Sequence, residues 1–189
     1  MSLDLPGFPG PVADAQAVFR AVLDALAHPG SIHAAGTTLR PPPCLAPSTA
    51  AVLLTLADAG TPLWLAPDFA DARDWLAFHC GAPFTDDPGE ALFAALPSLP
   101  ALDGFAQGTD IAPQDSATLI VQVAALGSGA QFTLSGPGLR QPETFAVTGL
   151  PGDFALRWAA NHALYPRGID LLLCCGGQLA ALPRGVAVA

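Results

Sequence analysis

The sequence predicts an α/β fold with a mixed central sheet covered by helices, and three observations carry that prediction. Apolar residues recur at helical spacing in the first half of the chain, over 14–27, 48–59 and 68–79. The second half is strand-like, above all the almost uninterrupted apolar run 118–126, which suits a strand buried on both faces. Segments 169–175 and 178–182 flank Gly176-Gly177, a two-residue loop of the kind that joins antiparallel strands through a type I′ turn. Helices alternating with buried strands, plus one hairpin, give a mixed sheet in a layered architecture.

The elements follow in order. Residues 1–13 read as an irregular N-terminal arm. In 14–27 the stripe Val18, Phe19, Val22, Leu23 and Leu26 predicts a helix with Asp14 as its N-cap, Arg20 and Asp24 on the opposite face, and His28-Pro29-Gly30 as its stop. Ser48 is the expected cap of a second helix packed through Val52, Leu53 and Leu56 and ended by Gly60. Leu63-Trp64-Leu65 reads as a short buried strand. Asp68 is the expected cap of a third helix carrying Trp75, Leu76 and Phe78 inward, closed by Gly81 and Pro83. Asp86-Asp87-Pro88-Gly89 is turn chemistry, 90–96 suits either a short helix or a strand, and 97–115 reads as irregular with one short helix at most. Segments 130–134 and 144–147 alternate and predict a strand pair. A last helix is expected over 152–164, with Phe154, Leu156, Trp158 and Ala159 packed.

Composition bounds what such a fold does. At 189 residues, 51% hydrophobic and 12% charged, the chain suits a single unit spanning 1–189. At this size roughly 70% of the unfolded surface is buried on folding, which is enough to do without disulfides or metal. No stretch reaches the ~18–20 apolar residues of a membrane span; 50–67 comes closest but is broken by Asp58, Gly60 and Pro62. The start has neither a positive nor an apolar signal region, so a cytoplasmic location is expected. All seven basic residues are arginine, which excludes a Schiff-base lysine and a Walker A loop, although GC-rich coding produces the same absence. A net charge of −9 with scattered arginines disfavours nucleic acid and anionic membrane as partners. The four cysteines have no zinc or redox spacing, no histidines pair as HxxxH, and Ser128 lacks the nucleophile-elbow pattern, so no metal, cofactor or self-contained catalytic set is expected.

Two segments hold candidate sites. Gly136-Pro137-Gly138-Leu139-Arg140 reads as an amide nest with an arginine beside it, able to cradle a phosphate or phosphonate, and equally as a type II turn. Asn161-His162-Ala163-Leu164-Tyr165-Pro166-Arg167-Gly168-Ile169-Asp170 is the densest polar cluster, running from a helix end into a buried strand. There Arg167 reads as an anion clamp and His162 as an acid–base group; as structure alone, Pro166 and Gly168 make the turn and Asp170 ties loop amides.

The ordered blocks 19–30, 56–58 with 61–65, 117–122, 135–139, 165–170 and 181–184 resemble the PhnH family, subunits of the bacterial carbon–phosphorus lyase core complex. The resemblance covers about residues 14–185. It departs from the family at His28 (usually arginine), Tyr165 (usually phenylalanine) and Gly185 (often threonine). It implies a fold similar to a reduced pyridoxal-phosphate-dependent transferase without the cofactor, a homodimer when isolated, and assembly with the other core subunits. It also implies a role in moving a phosphonate onto the ribose C1′ of ATP with loss of adenine, with or without direct contact to ATP or phosphonate. In that reading Arg20, Gly136, Pro137, Gly138, Arg140, Asn161, His162, Tyr165, Pro166, Arg167, Gly168, Asp170 and Arg184 are ligand- or partner-binding candidates, none of them catalytic. The alternative is a standalone small-molecule enzyme, working through His162 and Asp170, or an anion-binding protein.

Overall fold

The computed structural model describes residues 5–189. Its centre is a six-stranded sheet in the order β1-β8-β7-β4-β3-β2. The strands are β1 (His33–Ala34), β2 (Leu63–Leu65), β3 (Phe93–Leu96), β4 (Thr118–Gln122), β7 (Asp170–Cys175) and β8 (Gln178–Leu182). Strands β2, β3, β4 and β7 run parallel, while β8 and β1 are antiparallel additions. A second, antiparallel sheet joins β5 (Ala125–Ser135), β6 (Glu143–Thr148) and β9 (Ala187–Val188) in the order β6-β5-β9.

The central strands alternate between two cores, as the two-residue period of a strand requires. Ile120 and Leu172 face the side covered by α1 (Pro11–Ala27), α2 (Pro47–Leu56) and α3 (Arg73–Cys80). Leu119, Val121, Leu171 and Leu173 face the side covered by α4 (Phe154–His162), the small sheet and the loop carrying Leu99, Leu102 and Phe105. Both faces are therefore buried, which is why β4 and β7 read as continuous apolar runs.

Several boundaries differ from expectation, each for a local reason. The arm is shorter than 1–13: residues 1–4 lie outside the described residues, and the helix already begins at Pro11, whose missing N–H suits a first turn. Asp14 works from inside the helix, its Oδ2 accepting the Gly10 N–H at 2.8 Å. The α1 face turned to the core is Val18, Ala21, Val22 and Ala25, whose small side chains let the helix lie close to the sheet; Phe19 and Leu23 point outward. In α2, Ser48 is inside the helix and buried, Ala46 is the N-cap, and Gln122 at the end of β4 accepts the Ala46 N–H in place of a local cap. That helix ends at Leu56, before Gly60, because Asp58 and Thr61 bond each other's backbone in a competing turn.

The third helical segment begins as a 3-10 turn at Pro67–Ala72, and Phe78 faces out; Gly81, left-handed at φ 66°, closes it as expected. The 90–96 ambiguity resolves into a 3-10 turn at Pro88–Glu90 followed by β3. The run 118–126 splits between the sheets. Val123 still donates to Cys174 O (2.9 Å), whereas Ala124 already donates to Thr148 O (2.8 Å). α4 is shorter than 152–164, with Phe154 and Trp158 buried and Leu156 and Ala159 exposed. In the β7–β8 hairpin only Gly176 has positive φ, as a type II′ turn requires and a type I′ turn does not.

Candidate functional site

The end of α4, the 163–169 connection and the first residue of β7 bring most of the predicted polar cluster together. Asn161, 3% exposed, donates from Nδ2 to Ile169 O (2.9 Å) and accepts the Ile169 N–H at Oδ1 (2.8 Å). Its side chain thereby replaces a strand partner for the residue that leads into β7. His162 Nδ1 lies 2.9 Å from Arg184 O. A Cβ on Gly168, at φ 111°, would stand 3.0 Å from both the carbonyl and the side-chain oxygen of Asn161, and the Gly168 N–H reaches Gln107 O at 2.9 Å.

Arg184 and Asp170 form the firmest ion pair. Nε and an Nη of Arg184 reach the two Asp170 carboxylate oxygens at 3.1 and 2.5 Å, and the Arg184 N–H donates to the same carboxylate at 2.7 Å. The other Nη donates to Pro113 O at 2.8 Å. All three guanidinium nitrogens thus tie together the starts of β7 and β4 and the exit from β8. A fork-to-fork pair of this kind is geometrically specific. Arg167 Nε, itself shut off from solvent, approaches Asp110 Oδ1 at 3.1 Å without hydrogen-bond alignment, while the rest of the Arg167 side chain and most of Asp110 are exposed.

The glycine loop is a neighbour of this junction. Leu139 N–H donates to Gly136 O (3.2 Å), Pro137 precedes Gly138, and Gly138 has φ 87°, which together make a type II turn. A Cβ on Gly138 would stand 2.5 Å from Ala27 O, so the turn packs against the carbonyl end of α1, where the helix dipole repels anions. A Cβ on Gly185 would lie 3.4 Å from the Tyr165 ring and 3.8 Å from Pro137, so Tyr165, Gly185 and Pro137 join the two candidate segments. Tyr165, Pro166 and Arg140 are exposed there. Arg20 stands apart, on the outer face of α1.

Beside the junction, α4 and the 101–107 loop enclose a groove of about 570 Å³ lined by Leu102, Asp103, Gln107, Arg157, Asn161 and Leu164. Gln107 Nε2 donates to Leu102 O (2.7 Å) and Phe105 O (3.2 Å), while its buried Oε1 has no partner. Arg157 pairs with Asp153 one turn back at 2.8 Å. Sequence reasoning missed Gln107 and Asp103 because 97–115 has no periodicity to place its side chains, and it missed Arg157 because nothing in the predicted last helix shows which loop that side chain faces. The junction lies at the amino ends of β4 and β7, whereas open α/β sheets bind ligands beyond the carboxyl ends of their strands. At that carboxyl edge Gln122 joins the sheet to the start of α2, also donating to Cys44 O at 3.3 Å. Burial pushes the Cys174 thiol up to about 12, and burial also raises Cys44 and Cys80. Among the described residues no three His, Cys, Asp or Glu side chains gather as a metal-ligand group, and no helix is long and apolar enough to cross a membrane.

The fold and the junction define a small α/β protein whose polar cluster is engaged in holding its own strands. The family described as bacterial phosphonate metabolism protein (PhnH) matches residues 6–189, and the chain belongs to it. It is 43% identical over 182 residues to the alpha-D-ribose 1-methylphosphonate 5-triphosphate synthase subunit PhnH of Rhizobium meliloti (strain 1021), covering 94% of this chain and 91% of that relative. It is also 31% identical over 103 residues to HtxG of Stutzerimonas stutzeri, described as a C-P lyase subunit protein, covering 54% of this chain and 49% of that one. The family resemblance read from the ordered sequence blocks therefore holds over nearly the whole chain.

Proposed function

We propose that the chain is an accessory subunit of an assembly that makes ribose 1-phosphonate 5-triphosphate for phosphonate breakdown. In that reaction a phosphonate oxygen bonds to the ribose C1′ of ATP, the bond from C1′ to adenine breaks, and adenine leaves with a proton. The relatives support the assembly. The accessory role rests on one geometric observation: the Asn161, His162, Asp170 and Arg184 side chains are bonded to the protein's own backbone or to each other. A nucleophile or an acid–base pair needs a polar atom turned toward substrate. Arg184 takes both Asp170 carboxylate oxygens, which leaves no carboxylate free to work with His162, and this favours the subunit over a standalone acid–base enzyme at His162 and Asp170.

Four finer elements belong to the same proposal: pairing of two copies when isolated, a cytoplasmic location, a fold related to a cofactor-free reduced pyridoxal-phosphate transferase, and contact with ATP or phosphonate made within the assembly rather than by the isolated chain. The family resemblance supports the first and the third. The groove beside α4, with Arg157 at its rim, is the surface best shaped for the fourth. Deleting the gene in a host that grows on methylphosphonate as sole phosphorus source tests the reading. Growth on methylphosphonate is expected to stop and growth on phosphate to continue; undiminished growth on methylphosphonate overturns it.

A further inference from the structure

The groove between α4 and the 101–107 loop combines apolar walls with hydrogen-bonding groups that the protein itself leaves unmatched. Its volume of about 570 Å³ falls within the ~300–1,000 Å³ of small-molecule pockets. Ala101 and Leu102 line it from the loop, and Ala160 and Leu164, four residues apart on one helix face, line it from α4. Asn161 is already bonded to Ile169, and Arg157 Nε is held by Asp153 at 2.8 Å. Two acceptors remain without a donor. Asp103 is exposed, with neither a hydrogen bond nor an ion pair. Gln107 Oε1 is buried and unpartnered, and its amide is fixed by the bonds from Nε2 to Leu102 O and Phe105 O. That oxygen is closed to water, so a ligand meets it as the 101–107 loop, which contains no helix or strand, shifts slightly outward.

These groups select the ligand. Both unmatched atoms are acceptors, so the ligand has to bring N–H donors. Charge disfavours a phosphate end. Among the described residues lining the groove the titratable groups are Asp103 and Arg157, and Asp153 already neutralises Arg157, which leaves the site net negative. A flat, uncharged ring with an exocyclic amine meets both conditions, since bases are held by apolar side chains on their faces and hydrogen bonds at their edge. We propose that the groove holds the aminopurine base of a nucleotide, its faces on Leu102 and Leu164 and its amine on Asp103 and Gln107 Oε1. The inference rests on the subunit reading above, in which ATP is the nucleotide and adenine the group released; both carry the same amine. The triphosphate then meets its cations on another subunit, because the groove offers it none that is unpaired.

The test irradiates the purified assembly, containing the tagged full chain, with 8-azidoadenosine, a probe that carries no phosphate. The labelled residues of this chain are then read by mass spectrometry. Labelling is expected within 101–107 or 157–164 and is expected to disappear under excess adenosine. Inosine, whose base has an oxygen in place of the amine, and inorganic tripolyphosphate are expected to leave it in place. Competition by free adenine as well shows that the site also holds the leaving base. Asp103→Ala removes the exposed acceptor, and Ala160→Trp fills the groove from an exposed helix position. Each is expected to cut labelling at least about ten-fold, with partner recovery and thermal melting as in wild type. Labelling elsewhere or none, displacement by inosine, or undiminished labelling in either variant overturns the base site and leaves the subunit reading standing. Displacement by tripolyphosphate overturns it in favour of an anion site. Failure of wild type to co-purify with any other subunit overturns the subunit reading, and this inference with it.

Discussion

Replacing Asn161 by alanine tests most sharply whether the junction is architecture. The side chain makes two hydrogen bonds, at 2.9 and 2.8 Å, to the carbonyl and N–H of Ile169, and both residues are buried. Alanine leaves both backbone groups without partners in a site closed to water. Each unmade buried bond costs about 1–3 kcal/mol, so Asn161→Ala is expected to lose roughly 2–6 kcal/mol. That is a large share of the ~5–15 kcal/mol that holds a folded protein together. Asn161→Asp keeps the acceptor for the Ile169 N–H but turns a carboxylate oxygen toward the Ile169 carbonyl. Burial and that carbonyl oppose the charge, so the folded-state pKa of the new carboxyl rises above its unfolded value. Its proton then stabilises the fold below the unfolded pKa, and the gain is lost as pH climbs through the folded one. Asn161→Asp should therefore be closer to wild type at pH 4 than at pH 7. Equilibrium urea unfolding with an unchanged m-value reads both effects. A loss below about 1 kcal/mol for Asn161→Ala, or no pH dependence for Asn161→Asp relative to wild type, would refute the assignment of this side chain as a strand-entry brace.

Three other outcomes are expected. The Cys174 thiol, raised to about 12 by burial, ionises later than it does in the unfolded chain, so folding stability should fall above pH 9 by up to ~1.4 kcal/mol per pH unit; Cys174→Ala should flatten that slope. Gly138→Ala places a Cβ 2.5 Å from Ala27 O at φ 87°, and a loss exceeding ~1 kcal/mol is expected in the same urea assay, whereas an unchanged midpoint would contradict the tight packing of this turn on α1. Thr49→Val removes a fully buried hydroxyl that has no oxygen or nitrogen partner and faces the Cys174 thiol, so the variant should melt at the same temperature as wild type or higher; a clear drop would show that the hydroxyl is bonded after all.

The parts legible in the sequence are those where one pattern admits one reading. The uninterrupted apolar run of β4, the Gly176-Gly177 hairpin and the Gly81 stop were readable because burial on both faces, chain reversal and a left-handed φ each demand a narrow residue choice. α1 was misread in rotation, since it carries two apolar stripes and periodicity does not say which meets the sheet. The smaller residues won, because they allow the closer approach. Ser48 looks like a cap by type, but the N-cap is Ala46 and its N–H is taken by Gln122, 76 residues further along the sequence, a partner that only tertiary structure supplies. At the junction the sequence showed which polar residues gather. Their pairing needed the fold, because Asp170 meets Arg184 only after β7 and β8 turn back on each other. The groove was invisible, since Gln107 and Asp103 lie in a segment without periodicity.

In the proposed role this chain is needed by an assembly and turns over no substrate by itself. The measurement incubates ATP and methylphosphonate with the purified assembly, with the assembly prepared without this chain, and with the chain by itself, following adenine release by liquid chromatography and the ribose 1-methylphosphonate 5-triphosphate product by phosphorus NMR. Product is expected from the complete assembly and none from either of the others. Turnover by the chain alone, or an undiminished rate without it, would overturn the accessory-subunit role.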